Sequence, residues 1–114
     1  MNYSRMEIQS HELSANAKRL SLRQEQKEIA RIWVYFIKND LHAQPYALIE
    51  DLFVEEEFRN QGLGATMLRA AIEEARKAGC YKLIGTSRHE RELVHQFYLK
   101  NGFKEYGKEF RIEL

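Results

Sequence analysis

The sequence predicts an α+β fold in a single domain, 1–114, and three observations carry that expectation. Between Lys18 and Val54 the apolar residues alternate or run together, rich in β-branched and aromatic types. After Gly62 and Gly64 the apolar spacing lengthens to that of a helix. A further apolar run at 81–87 is followed by a second helical pattern, so a strand–helix–strand unit sits behind a set of strands.

Residues 1–17 are ambiguous, with "RMEIQ" (5–9) a candidate short strand. "KRLSLRQ" (18–24) places Leu20 and Leu22 on one face of a half-buried strand, and "EQKE" (25–28) reads as a turn. "IARIWVYFIK" (29–38) is apolar on both faces, as a central strand is. "NDLHAQP" (39–45) holds the one proline and breaks the pattern before "YALIEDLFV" (46–54), an apolar strand carrying two acids. Leu68, Ala71, Ile72 and Ala75 recur at helical spacing until Gly79 stops the helix. "YKLIGTS" (81–87) reads as a strand, and "ERELVHQFYLK" (90–100) as a helix with Leu93, Val94, Phe97 and Tyr98 on one face and Asn101-Gly102 as its cap. "FKEYGKEFRIEL" (103–114) predicts one or two closing strands.

Bulk composition excludes several function classes. Lys and Arg total 18 against 17 Asp and Glu, so no global field draws the chain to nucleic acid or membrane. With 44% hydrophobic and 31% charged residues, the composition is that of a folded domain rather than a disordered tail. One cysteine, Cys80, permits no internal disulfide and points to a reducing, cytoplasmic setting. The opening decapeptide is too polar for a signal peptide, and "IWVYFI" (32–37) is too short to span a bilayer. His89 and His95 are six apart with no third ligand at useful spacing, so no metal is expected. "EEE" (55–57) reads as a solvated strand end, and Cys80 as a small buried hydrophobe.

Three constellations carry chemistry. Arg59-x-x-Gly62-x-Gly64 is neither a dinucleotide fingerprint, whose third glycine would fall at Met67, nor a P-loop, which needs Gly-Lys-Ser/Thr. By itself it is equally a structural turn or a phosphate cradle. Its place between a buried strand and a helix favours the cradle, because helix N-termini present unpaired amides and Arg59 adds a forked positive charge. Glu50 and Asp51 are adjacent acids within an apolar strand, and in a regular strand they point to opposite faces. One of them therefore faces a cleft or a partner, where burial would suit a general base. Parity groups Glu50 with Leu48, Leu52 and Val54. Tyr98, read alone, is a core residue with a satisfied hydroxyl.

Taken in order, these pieces resemble the GCN5-related N-acetyltransferase superfamily. "LIEDLFVEEEFRNQGLGATML" (48–68) looks like its diagnostic strand, loop and helix, and "HQFYLKNGF" (95–103) like its later helix. The resemblance covers residues 46 to about 104, with a spacing closest to the polyamine and small-amine acetylating members. It implies a mixed, mostly antiparallel sheet with a strand–helix–strand acetyl-CoA core. By that resemblance, backbone of Leu52, Phe53 and Val54 would pair with the pantetheine arm. The loop from Arg59 and Asn60 through Gln61, Gly62, Leu63, Gly64, Ala65 and Thr66 would hold the pyrophosphate. Glu50 matches the general base, with Asp51 or water as alternatives, and Tyr98 matches the acid that protonates the leaving thiolate.

The activity implied is transfer of acetyl from acetyl-CoA to a small-molecule or protein amine. A CoA-binding sensor and an interaction module with the same fold are the alternatives. The sequence departs from the family pattern in two places: the helices that usually follow the first strand are reduced or absent, and the position seven before Tyr98, often asparagine, is Arg91. Sheet left bare by missing helices predicts a homodimer through the N-terminal strands, including Leu20 and Leu22.

Overall fold

A computed structural model describes residues 5–114; the first four residues of the ambiguous 1–17 segment lie outside it. Three antiparallel strands come first: β1 (Ala15–Gln24), β2 (Lys27–Ile37) and β3 (Tyr46–Val54). A short 3-10 turn over Glu56–Phe58 leads to helix α1 (Leu63–Lys77), strand β4 (Leu83–Gly85) and helix α2 (Glu92–Lys100). The strands lie in sequence order, with β1–β2 and β2–β3 antiparallel and β3–β4 parallel. The expected α+β class is what forms.

The hydrophobic pattern explains which side closes. Along β2, Ala30, Ile32, Val34 and Phe36 are buried while Arg31, Trp33, Tyr35 and Ile37 stay half-buried, a period-2 split between two faces. α1 covers the first face with Met67, Leu68, Ala71 and Ala75, all buried at helical spacing. Ile32, Val34, Ile49 and Leu68 lose essentially all contact with solvent, each contributing roughly 1.5–3 kcal/mol of transfer free energy. The second face of the sheet carries no helix.

Several sequence expectations are corrected here. Leu20 and Leu22 pair with Ile32 and Ala30 across the β1–β2 ladder and pack against the core. They therefore face α1 and offer no bare surface to a second copy. Residues 5–9 form no strand, and β1 starts only at Ala15. Nor do residues 103–114 form one. Phe110, Ile112 and Leu114 keep a strand's alternation in sequence but are exposed, since alternation forms a strand only where a neighbouring ladder accepts it. The segment 81–87 yields just the three residues of β4, and α2 starts at Glu92 rather than Glu90. Among the described residues β1 and β2 are joined by a two-residue turn at Glu25 and Gln26, and no α-helix precedes β1.

Candidate active site

The site begins where two strands part. β3 and β4 pair through Ala47–Leu83, Leu48–Ile84 and Ile49–Gly85, after which β4 ends and β3 runs on to Val54. From Glu50 onward β3 thus has a free edge on its β4 side, whose amides and carbonyls can pair with an extended, amide-bearing chain.

The β2 side of the same stretch is irregular. Its register jumps from Arg31–Phe53 to Trp33–Glu50, so β3 holds one residue more than β2 across the step. Asp51 takes up the difference with φ +54°, a left-handed conformation that non-glycine residues adopt at a cost. The bulge resets the parity of the strand. Ala47 and Ile49 face α1 before it, and Leu52 and Val54 pack toward the same core after it. The grouping of Glu50 with Leu52 and Val54 is therefore wrong, while its grouping with Leu48 stands. Glu50 lies opposite Trp33 on the uncovered face, and both acids are exposed. Among the described residues neither is ion-paired with a Lys, Arg or His. The Glu50 carboxylate beside the Tyr35 phenol raises that phenol's pKa; partial burial and the Asp51 charge act in the same direction.

Beyond β3 the chain turns into α1 through two further positive-φ residues, Asn60 (+64°) and Gly62 (+80°). Gly62 is the N-cap and supplies no side-chain acceptor. The first helical bond runs from Thr66 N to Gly62 O at 3.1 Å, so the amides of Leu63, Gly64 and Ala65 precede the helix ladder. No acid occupies that first turn, leaving the positive end of the helix uncompensated. A Cβ on Gly64 would meet only the Phe97 ring, at 3.5 and 3.6 Å, an ordinary contact. The protein itself does not require glycine there, whereas a ligand lying against the amide would.

Side chains around the loop divide by task. Arg59 donates from Nε to the Val54 carbonyl at 2.8 Å, with its guanidinium 5.1 Å from the Phe53 ring centre. That bond pins the arginine beside the loop mouth and occupies one carbonyl of the β3 edge. Thr66 turns its hydroxyl back onto Gly62 O and accepts a bond from Arg69. It serves the helix start rather than a ligand. Gln61 and Asn60 are exposed at the turn.

Tyr98 arrives from α2. Its ring lies 5.1 Å from Phe103 and 6.0 Å from Phe97, and its outer edge rests on β4. A Cβ on Gly85 would come within 3.1 Å of Tyr98 Cε1, Cζ and the hydroxyl oxygen. Gly85 is the last β4 residue paired with β3, so the phenol stands at the point where the strands part. Burial pushes its pKa up, and Arg91, the N-cap of α2, pulls it back with its positive charge. The ring packs as a core residue's does, but the hydroxyl has no hydrogen-bond partner among the described residues and lies beside Gly85.

Sequence reasoning missed two residues. Gly85 makes room for the phenol, and Ser87, just past the end of β4, has a buried hydroxyl without a hydrogen-bond partner among the described residues. The run of small residues in "GTS" (85–87), closing a strand on the carboxyl side, was the available signal. Cys80 packs against the core, and burial raises its thiol pKa, which disfavours the thiolate. Among the described residues no group of three or more His, Cys, Asp or Glu is placed to hold a metal, and no helix is long and apolar enough to cross a membrane.

Comparisons with known proteins agree with this geometry. The profile described as "Acetyltransferase (GNAT) family" matches residues 3–103. A glucosamine 6-phosphate N-acetyltransferase of Trypanosoma brucei brucei is 38% identical over 66 residues, 58% of this chain and 43% of that protein. An aminoalkylphosphonate N-acetyltransferase of Salmonella typhimurium is 36% identical over 64 residues, 56% of this chain and 42% of that protein. A solved structure from Agrobacterium tumefaciens str. C58 superposes with a TM-score of 0.81 at 31% identity, over 86% of this chain and 69% of that one. The chain spans about two fifths of the length of these two curated relatives.

Proposed function

We propose, from the premise that this chain belongs to the acetyltransferase (GNAT) family, that it transfers an acetyl group from acetyl-CoA to a primary amine. The observation that carries the reading is the parting of β3 and β4 at Ile49–Gly85, with the Tyr98 hydroxyl at the fork and a free strand edge leading to an uncapped helix start. That arrangement fits acetyl-CoA part by part. The β3 edge at Leu52 and Phe53 suits the amides of the pantetheine arm. The amides at Leu63, Gly64 and Ala65, with Arg59 beside them, suit the pyrophosphate. The two curated relatives act, by their names, on amines borne by small molecules, which supports an amine as acceptor here.

Acetyl-CoA supplies an activated thioester, and the chain's residues manage the protons around it. Glu50, on the uncovered face beside the fork, takes a proton from the incoming ammonium, directly or through water. The amine nitrogen then bonds to the acetyl carbon as the carbon–sulfur bond breaks, and the nitrogen's extra proton passes to solvent, leaving a neutral amide. Tyr98, held protonated by burial, donates to the departing sulfur. Asp51 keeps its strained φ, which lets the bulge turn β3 edge groups toward the fork. The reading places the protein in the cytoplasm. It includes a homodimer through the free edge of β1, which a monomer by light scattering at high micromolar concentration would remove.

The test is calorimetry with acetyl-CoA followed by thiol release with a panel of primary amines. Binding with amine-dependent thiol release is expected. Binding without release from any amine would favour a CoA sensor, and no binding would overturn the assignment.

A further inference from the structure

The uncovered face of the sheet is not uniform. Next to Glu50, between β1 and β3, lies a shallow groove of about 360 Å³ lined by Ala15, Asn16, Ala17, Tyr35, Ile37 and Leu48. Four of its six lining side chains are aliphatic and one is aromatic. Tyr35 lies opposite Leu48 in the ladder, and Glu50, opposite Trp33, is the next residue of β3 on the same face, so the groove opens onto the proposed base within one pleat of the sheet.

Charge around the groove is one-sided. Arg19 and Arg31 share this face, but Arg19 is bound to Glu28 at 2.8 Å, and Arg31 to Glu55 at 3.2 Å and Glu28 at 3.5 Å. Both guanidiniums also cover aromatic rings, Arg19 over Trp33 and Arg31 over Phe53. Two positive charges are thus answered by Glu28 and Glu55, while Glu50 and Asp51 have no cationic partner among the described residues. Around Glu50 a phosphate meets carboxylates, while Lys82, with no carboxylate partner among the described residues, lies at the opposite end of the groove, 5.1 Å from the ring of Tyr46, the ladder partner of Ile37. An ammonium meets two carboxylates, with apolar surface behind them.

Resting on the transferase reading, we infer that this groove is the acceptor seat, with Tyr35, Ile37 and Leu48 setting specificity for a cationic amine on an apolar or aromatic body. The body lies along Tyr35, Leu48 and Ile37, and the nitrogen points at Glu50. None of these three side chains belongs to the acetyl-CoA cleft, so cofactor affinity and acceptor choice are separable.

The experiment compares phenethylamine and tryptamine with ethylamine and glucosamine 6-phosphate as acceptors, in wild type, Ile37→Asn and Leu48→Asn. In wild type the two aromatic amines are expected to exceed glucosamine 6-phosphate in kcat/KM by at least tenfold. Each variant should raise KM for the aromatic amines about tenfold, change ethylamine less than threefold, and leave the acetyl-CoA Kd within twofold; ~1.4 kcal/mol corresponds to such a tenfold change. Circular dichroism and acetyl-CoA binding show that each variant is folded, and a failure of one leaves the other as the test. Preference for glucosamine 6-phosphate, or equal losses for all amines, overturns the seat while the transferase reading stands. Absence of acetyl-CoA binding in wild type overturns that reading and the seat with it.

Discussion

Replacing Tyr98 by phenylalanine separates chemistry from packing in one atom. The ring contacts with Phe97, Phe103 and Gly85 survive the change, and the hydroxyl makes no hydrogen bond among the described residues. Stability should therefore move by no more than about 0.5 kcal/mol, as for a substitution that leaves packing and hydrogen bonding intact. In a domain of this size that shifts Tm by roughly 2–3 °C at most. Turnover has much more to lose. A general acid contributes ~10²-fold or more, about 2.7 kcal/mol of barrier, so kcat should fall by that factor at neutral pH. The pH dependence carries a signature of its own. Burial raises the phenol's folded pKa, so the folded protein holds this proton more tightly than the unfolded chain does. The resulting stability is complete below the ordinary phenol value of about 10 and is lost as pH rises through the raised one. Turnover by wild type should decline over the same alkaline range as the donor empties, and Tyr98→Phe should lack that limb. The assay is thiol release at saturating acetyl-CoA from pH 7 upward, with Tm measured on the same preparation. A rate within twofold of wild type together with a Tm loss above about 4 °C would refute the acid role and leave Tyr98 as packing alone.

Other perturbations address the remaining parts. Gly64→Ala adds a methyl that meets Phe97 only at ordinary contact distance, so Tm should hold while acetyl-CoA Kd rises about tenfold; an unchanged Kd by calorimetry would show that nothing lies against that amide. Glu50→Gln should lower kcat/KM most at pH values well below the amine's own pKa and progressively less as free amine accumulates, and a profile parallel to wild type would pass the base role to Asp51 or water. Ser87→Ala removes a buried hydroxyl that lacks a partner, so Tm should stay level or rise slightly in the free protein, while weaker acetyl-CoA binding would assign the hydroxyl to the ligand. Leu68→Ala opens the fully buried face of α1 and should cost roughly 2–5 kcal/mol in urea unfolding; a cost below about 1 kcal/mol would mean the helix packs elsewhere.

How far the sequence could be read depends on whether each feature is local. Helix α1 was legible because its signals lie within one span: a glycine-bearing start, apolar residues at 68, 71 and 75, and Gly79, whose φ of +77° ends it. The turn through Asn60 and Gly62 that leads into it was legible for the same reason. Residues 103–114 failed because alternation at Phe110, Ile112 and Leu114 reports only a capacity to pair, and pairing is decided by a partner strand. Leu20 and Leu22 failed on the same point, since a strand pattern does not say which sheet face the helix covers. The bulge at Asp51 is the most instructive case. Two adjacent acids in "LIEDLFV" fit a regular strand with opposed side chains and equally fit a bulged one. Only the ladder with β2 counts the extra residue. Yet the sequence holds a trace of it: Ile49 and Leu52 are three apart and both face α1, a spacing no regular strand allows for one buried face. Had the apolar residues on both sides of the acids been required to meet the same helix, the extra residue would have had to fall at 50 or 51. The irregularity at Asp51 is therefore written in the spacing of its apolar neighbours more than in the acids themselves.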